Sequence, residues 1–153
     1  MVIELSSLER KNYSASKFIA SVTAKKLKIT NTPNLSQLTC GMKVMDKLQE
    51  ITDKTGLVFN ISSFFRSAAL NKATKGSPSS WHMQGLAVDG LFPKKTPKET
   101  VDIIKQSGVS VDKCFVEHAC CHMQFNMDDT KNRNWFAYAE LVNGVWVTKP
   151  LLN

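Results

Sequence analysis

Ser79-Ser80-Trp81-His82-Met83-Gln84-Gly85-Leu86-Ala87-Val88-Asp89 sets a histidine and a carboxylate seven positions apart, and the path of the chain between them decides what can be built here. An uninterrupted strand over that span would send His82 and Asp89 to opposite faces, because successive side chains alternate. Both can reach one ion only if the chain turns between them, and Gly85 is the residue that permits such a turn. Beyond it, Leu86 to Asp89 reads as a buried strand. Ala87 shares a face with Asp89 and leaves room above the sheet, while Leu86 and Val88 can face the core.

A second segment, Glu117-His118-Ala119-Cys120-Cys121-His122, carries the other two of the three histidines. From His122 the chain alternates strictly, with Met123, Phe125 and Met127 on one face and His122, Gln124 and Asn126 on the other. Taken singly, a histidine such as His82 is more often a satisfied side chain than a ligand. The spacing to Asp89 and the polar-face position of His122 favour the ligand reading. Two imidazoles and a carboxylate suit Zn²⁺, and three protein ligands leave a fourth position open, which distinguishes a catalytic zinc from a structural one. His82, Asp89 and His122 are therefore the candidate ligands.

Around these segments the periodicity predicts a scaffold. Leu35, Leu38, Met42, Met45, Leu48 and Ile51 recur at helical spacing, with Asn34 and Gln37 placed as a capping box and Gly56 just past the end. Thr96-Pro97-Lys98-Glu99 supplies a second helix start, running to about Ser107 with Gly108 as its stop. A first short helix is expected near Ser14 with Phe18, Ile19 and Val22 on one face, and another from Ser67 to Lys75 ended by Gly76. Leu57 to Ser62 reads as a strand, the chain turns extended from Lys113, and Asn143-Gly144 between β-prone runs marks a hairpin.

At 153 residues the chain is expected to be one domain spanning residues 1–153. Its start lacks a basic, apolar export signal and nothing approaches the length of a membrane span, so a soluble protein with no membrane partner is expected. Cys40, Cys114, Cys120 and Cys121 fit no paired zinc framework and read as free thiols. The net charge of +7 points to a polyanion, either nucleic acid or an anionic wall polymer, or else to ordinary solvated surface. No basic and aromatic interleaving supports nucleic acid, and no nucleic-acid partner is expected.

The run from Ser62 through Arg66, Ser67 and Asn71, then Ser80 to Asp89, resembles the S-x-x-x-R-S…N…S-x-H-x-x-G-x-A-x-D signature of peptidase family M15, subfamily A. Its members are zinc D-Ala-D-Ala carboxypeptidases and phage murein endopeptidases. The resemblance looks continuous from about Ile3 to Met127 and includes Asn31-x-Pro33-x-Leu35. It implies an α+β fold shared with the hedgehog signalling domain, in which a small antiparallel sheet carries a zinc site and packs against helices. It implies His82, Asp89 and His122 as zinc ligands. Glu117 matches the acid that would take a proton from the attacking water and pass it to the leaving amine. Arg66 matches the arginine that steadies the developing oxyanion or the substrate carboxylate, and Ser80 a substrate-contacting position whose alternative is a turn serine. Where family members commonly have Trp and an aliphatic residue before the last histidine, this chain has Cys120 and Cys121. His118 is then an alternative base, and Cys120 an alternative fourth ligand that would close the site.

The expected function is zinc-dependent hydrolysis of peptide bonds in peptidoglycan stem peptides or cross-links by a monomeric enzyme. It would be made in a bacterial host and act on the wall after release or from a virion. The alternatives are an inactive zinc-stabilised wall-binding or virion module, and a basic nucleic-acid binder resting on charge alone.

Overall fold

In the computed structural model, which describes residues 2–151, the capping box expected at Asn34 closes the amino end of a 21-residue helix, α2 (Leu35–Thr55). Asn34 Oδ1 accepts from the Gln37 backbone N–H at 2.9 Å, and Gln37 Oε1 accepts from that of Asn34 at 2.8 Å. Gly56 ends the helix in the left-handed region, as a helix stop requires. Leu38, Met45, Leu48 and Ile51 are buried as the periodicity predicts, whereas Leu35 is exposed and Met42 half-buried. Val44 and Gly41 complete the inner face instead. A Cβ on Gly41 would sit 2.5 Å from the Phe18 ring, so the missing side chain is what lets that ring in.

The helix expected from Ser14 through Val22 is broken. A 3-10 turn spans Ala15–Phe18, and a separate helix, α1 (Val22–Leu27), starts on Ser21, whose hydroxyl accepts from the Ala24 N–H. The break turns Phe18 inward against Phe64 and Phe65, with centroids at 4.7 and 5.5 Å, and leaves Val22 exposed. The next helix, α3 (Ala68–Ala73), begins on Ser67 as expected but stops at Thr74 rather than Gly76. The Thr74 hydroxyl donates to the carbonyls of Leu70 and Asn71, and Lys75 then turns left-handed. The capping box of Thr96 and Glu99 starts α4 (Pro97–Ser107), and Gly108 ends it, both as expected.

Six strands form one sheet in the order β1 (Asn60–Ser63), β2 (Ala87–Leu91), β4 (Cys120–Gln124), β3 (Lys113–Glu117), β5 (Trp135–Val142), β6 (Val145–Pro150). The four strands β1, β2, β4 and β3 are antiparallel, as expected of the site-bearing sheet. The sheet is larger than expected, because β5 adds to β3 in parallel. Asn143 and Gly144, both at positive φ, make the expected two-residue turn between β5 and β6. The first strand starts three residues later than the run Leu57 to Ser62 predicts. The alternation from His122 onward outlasts its strand: β4 stops at Gln124, Phe125 is still buried, and Met127 is exposed. Hydrogen bonds from Asn126 to Lys131 and Asn132 bend the chain away there.

Alternation along the strands separates two faces. Val88, Cys114, Cys121 and Met123 enter one core with α2, α4 and the Phe18 cluster. Asp89, His122, Phe115 and Glu117 point the other way. Cys114 and Cys121 are small core fillers with sulfurs 3.5 Å apart, and all four cysteines are free. Among the described residues no helix is long and apolar enough to cross a membrane. The expected span 1–153 includes Met1, Leu152 and Asn153, which lie outside the described residues.

Candidate metal centre

Strand register places the first two groups. Asp89 on β2 is the direct partner of His122 on β4, which in turn is the partner of Phe115 on β3, while Ser63 on β1 flanks Asp89. The row Ser63, Asp89, His122, Phe115 thus crosses four strands on one face. His82 joins it from a 3-10 turn, Trp81–Gln84, that Gly85 closes at φ 77°. A Cβ at Gly85 would lie 2.7 Å from the Gln37 carbonyl oxygen, so both the φ and the space require glycine. The Ser80 hydroxyl accepts from the His82 N–H and fixes the start of this turn.

Ligand atoms of His82, Asp89 and His122 lie within 4.8 Å of one another, and all three residues are buried. Their protons show what the cluster can hold. His82 Nδ1 sits 2.6 Å from the Phe64 carbonyl oxygen, which only accepts, so Nδ1 carries the ring proton. His82 Nε2 is left as a lone pair, buried, with no hydrogen-bond partner, although Asp89 Oδ2 is 3.1 Å away. Two acceptors at that distance repel unless a cation lies between them. His122 Nδ1 stands 2.8 Å from the other oxygen, Asp89 Oδ1, and its Nε2 faces Gln124 Oε1 at 3.2 Å. The donor set, two imidazole nitrogens and an ionised carboxylate, fits a divalent transition metal.

A cavity of about 300 Å³ opens over the cluster, lined among others by Arg66, Ser80, Trp81, Phe115, Glu117 and Arg133. Arg66 Nη2 donates to Asp89 Oδ2 at 3.1 Å and its Nε to the Ser63 hydroxyl at 3.0 Å, which pins the guanidinium beside the carboxylate. Glu117 Oε2 lies 3.5 Å from His122 Nδ1, with its side chain 44% exposed to the cavity mouth. The phenyl ring of Phe115 packs 4.8 Å from the His122 imidazole.

Two flanking residues part company with the cluster. His118 occupies the β3–β4 turn at φ 52° and opens onto a neighbouring cavity of about 640 Å³ with Pro93, Lys94 and Lys95. Cys120 shares the His122 face, but its thiol donates to the Glu117 carbonyl at 3.3 Å. Burial and the charges of Asp89 and Glu117 push that thiol up to about 12, and its sulfur is not among the ligand atoms that converge from His82, Asp89 and His122.

Sequence reading overlooked the support behind His122: Gln124, the buried Asp112 and Arg133. Gln124 was visible as the next residue on the polar face. Nothing in the spacing connects Asp112 with Arg133, which are brought together because Trp135 N–H bonds the Asp112 carbonyl at the start of β5.

A family model described as Peptidase M15 matches residues 11–124, a stretch that includes Arg66, Ser80, His82, Asp89, Glu117 and His122 and stops short of Arg133. No curated protein matches the chain.

Proposed function

This chain belongs to the peptidase M15 family, a family of metal-dependent peptidases, and from that premise we propose that it hydrolyses peptide bonds in peptidoglycan with Zn²⁺ held by His82, Asp89 and His122. The observation that carries the reading is the convergence of the lone pairs of His82 Nε2, His122 Nδ1 and the Asp89 carboxylate beneath an open cavity. A bound zinc ion supplies Lewis acidity toward the scissile carbonyl and lowers the pKa of a water.

The chain's own residues do the rest. Glu117, at the cavity mouth and 3.5 Å from His122 Nδ1, takes the proton of the attacking water and returns it to the leaving amine. Arg66 has N–H groups beyond the two engaged by Ser63 and Asp89, and these stabilise negative charge on the carbonyl oxygen or on a substrate carboxylate. Ser80 shapes the turn that presents His82. Phe115 and Trp81 wall the cavity and limit access of solvent.

Peptidoglycan as substrate is supported by the resemblance of Ser62–Asp89 to subfamily A and by the charge of +7, which suits an anionic wall. That resemblance also supports an enzyme of lytic or virion-associated type, either a D,D-carboxypeptidase or a murein endopeptidase. Mass spectrometry of murein digests is the test. New amine ends that EDTA abolishes and Zn²⁺ restores are expected, and their absence at every pH with zinc bound would leave an inactive zinc-stabilised module.

A further inference from the structure

Asp112 is 1% exposed, and its carboxylate is surrounded by donors. Arg133 grips it with Nε on Oδ1 at 2.8 Å and Nη2 on Oδ2 at 2.6 Å, and Gln124 Nε2 donates to Oδ2 at 2.8 Å. An ionised carboxylate accepts and never donates, so Asp112 dictates which end of the Gln124 amide faces it. The amide oxygen is thereby turned to His122 Nε2, 3.2 Å away. That oxygen in turn only accepts, so Nε2 must carry a proton, and in the neutral ring Nδ1 is then left as the lone pair toward Asp89.

The two histidines of the cluster reach their tautomers differently. His82 sits in a turn beside the free carbonyl of Phe64 and needs no side chain to orient it. His122 lies inside β4, between β2 and β3, where the ladders occupy the neighbouring backbone groups. Only a side chain can set its proton. We propose that Arg133, Asp112 and Gln124 form a positioning relay that selects the His122 tautomer and so makes Nδ1 its metal-binding atom. The relay rests on His122 being a metal ligand, as proposed above. Burial raises the Asp112 carboxyl, but hydrogen bonds from Arg133 and Gln124 hold it below its ordinary value, in agreement with an acceptor that stays ionised. Arg133 lies beyond the stretch matched by the family model.

Long-range ¹H–¹⁵N correlation of the metal-free protein, at alkaline pH where imidazole is neutral, reads the tautomer directly. His122 is expected as Nε2–H, and a wild-type Nδ1–H form overturns the relay. Gln124→Met keeps the length and removes the amide. It is expected to mix the tautomers and to weaken Zn²⁺ binding about 10–100-fold in competition with a chelator. Unchanged tautomer and affinity in folded Gln124→Met also overturn the proposal. If that variant does not fold, Arg133→Met, altered at a side chain 56% exposed, serves instead. It is expected to shift both readouts in the same direction by roughly two- to tenfold in affinity, and no shift counts against the relay. Neither readout involves hydrolysis. A chain with the expected tautomer and zinc affinity that cuts no murein sinks the proposed function and leaves the relay standing, whereas a wild-type chain that binds no Zn²⁺ removes both.

Discussion

Glu117 and His122 meet across the β3–β4 ladder, with Glu117 Oε2 3.5 Å from His122 Nδ1, while His118, the very next residue, turns away at positive φ. The single left-handed residue at the hairpin therefore separates the two candidate bases. Glu117→Ala is expected to lower kcat by ~10²–10⁴ with metal binding retained, whereas His118→Ala stays within about twofold of wild type. Steady-state kinetics beside zinc titration checks both, and a larger loss for His118→Ala would reassign the base.

Removing one ligand leaves two others with nothing to hold. Asp89→Ala and His82→Ala are each expected to abolish stoichiometric zinc uptake, measured by elemental analysis after dialysis, and with it hydrolysis. EDTA should reproduce the loss in wild type reversibly, which the point variants cannot.

Cys120 carries a protonated thiol in the metal-free protein and is expected to stay off the metal. Its raised pKa means the neutral form prevails until the pH nears about 12, so metal-free protein at neutral pH should label slowly at this position with iodoacetamide and faster as pH rises. Cys120→Ser is expected to leave zinc affinity within a fewfold of wild type. Loss of zinc on that substitution would place the sulfur on the metal.

Gly85→Ala combines a left-handed φ of 77° with a Cβ 2.7 Å from the Gln37 carbonyl oxygen. The expected cost is about 1–3 kcal/mol, read from urea unfolding of the metal-free protein. Zinc affinity should fall as well, because the same turn carries His82. Gly108, also left-handed but with open space around it, is the control: Gly108→Ala should lose stability without loss of zinc.

Asp112 has a folded pKa below its unfolded one, so its contribution is fully present above about pH 4 and disappears as pH falls through the lowered value. Asp112→Asn is expected to cost about 1–3 kcal/mol at neutral pH. The gap from wild type should close as the solution is acidified below pH ~4. A gap constant down to the acid transition would mean that the ion pair contributes nothing.

Local signals were the legible ones. The capping boxes at Asn34 and Thr96, the turn at Gly85 and the Asn143-Gly144 hairpin each depend on residues a few positions apart, and each appears where the sequence places it. The convergence of His82, Asp89 and His122 was legible because spacing and alternation constrain them. What escaped were outcomes settled by tertiary packing. The break between Phe18 and Val22 follows from a pocket made by Phe64 and Phe65. The parallel β3–β5 pair and the Asp112–Arg133 contact join segments whose separation carries no periodic signature.

The pairing of Asp89 with His122 in one register row has a thermodynamic side. A slip of β2 against β4 by one residue would exchange the core face for the outer face and also break the cluster, so an ion bound there recognises only the native alignment. Such an ion acts as a reversible clasp across the middle of the sheet, and its hold depends on mass action. At a free concentration a hundredfold above its dissociation constant it adds about 2.7 kcal/mol to the folded state. The resistance of this small protein to unfolding should therefore follow the metal content of its surroundings, high where the ion is plentiful and low where it is scavenged.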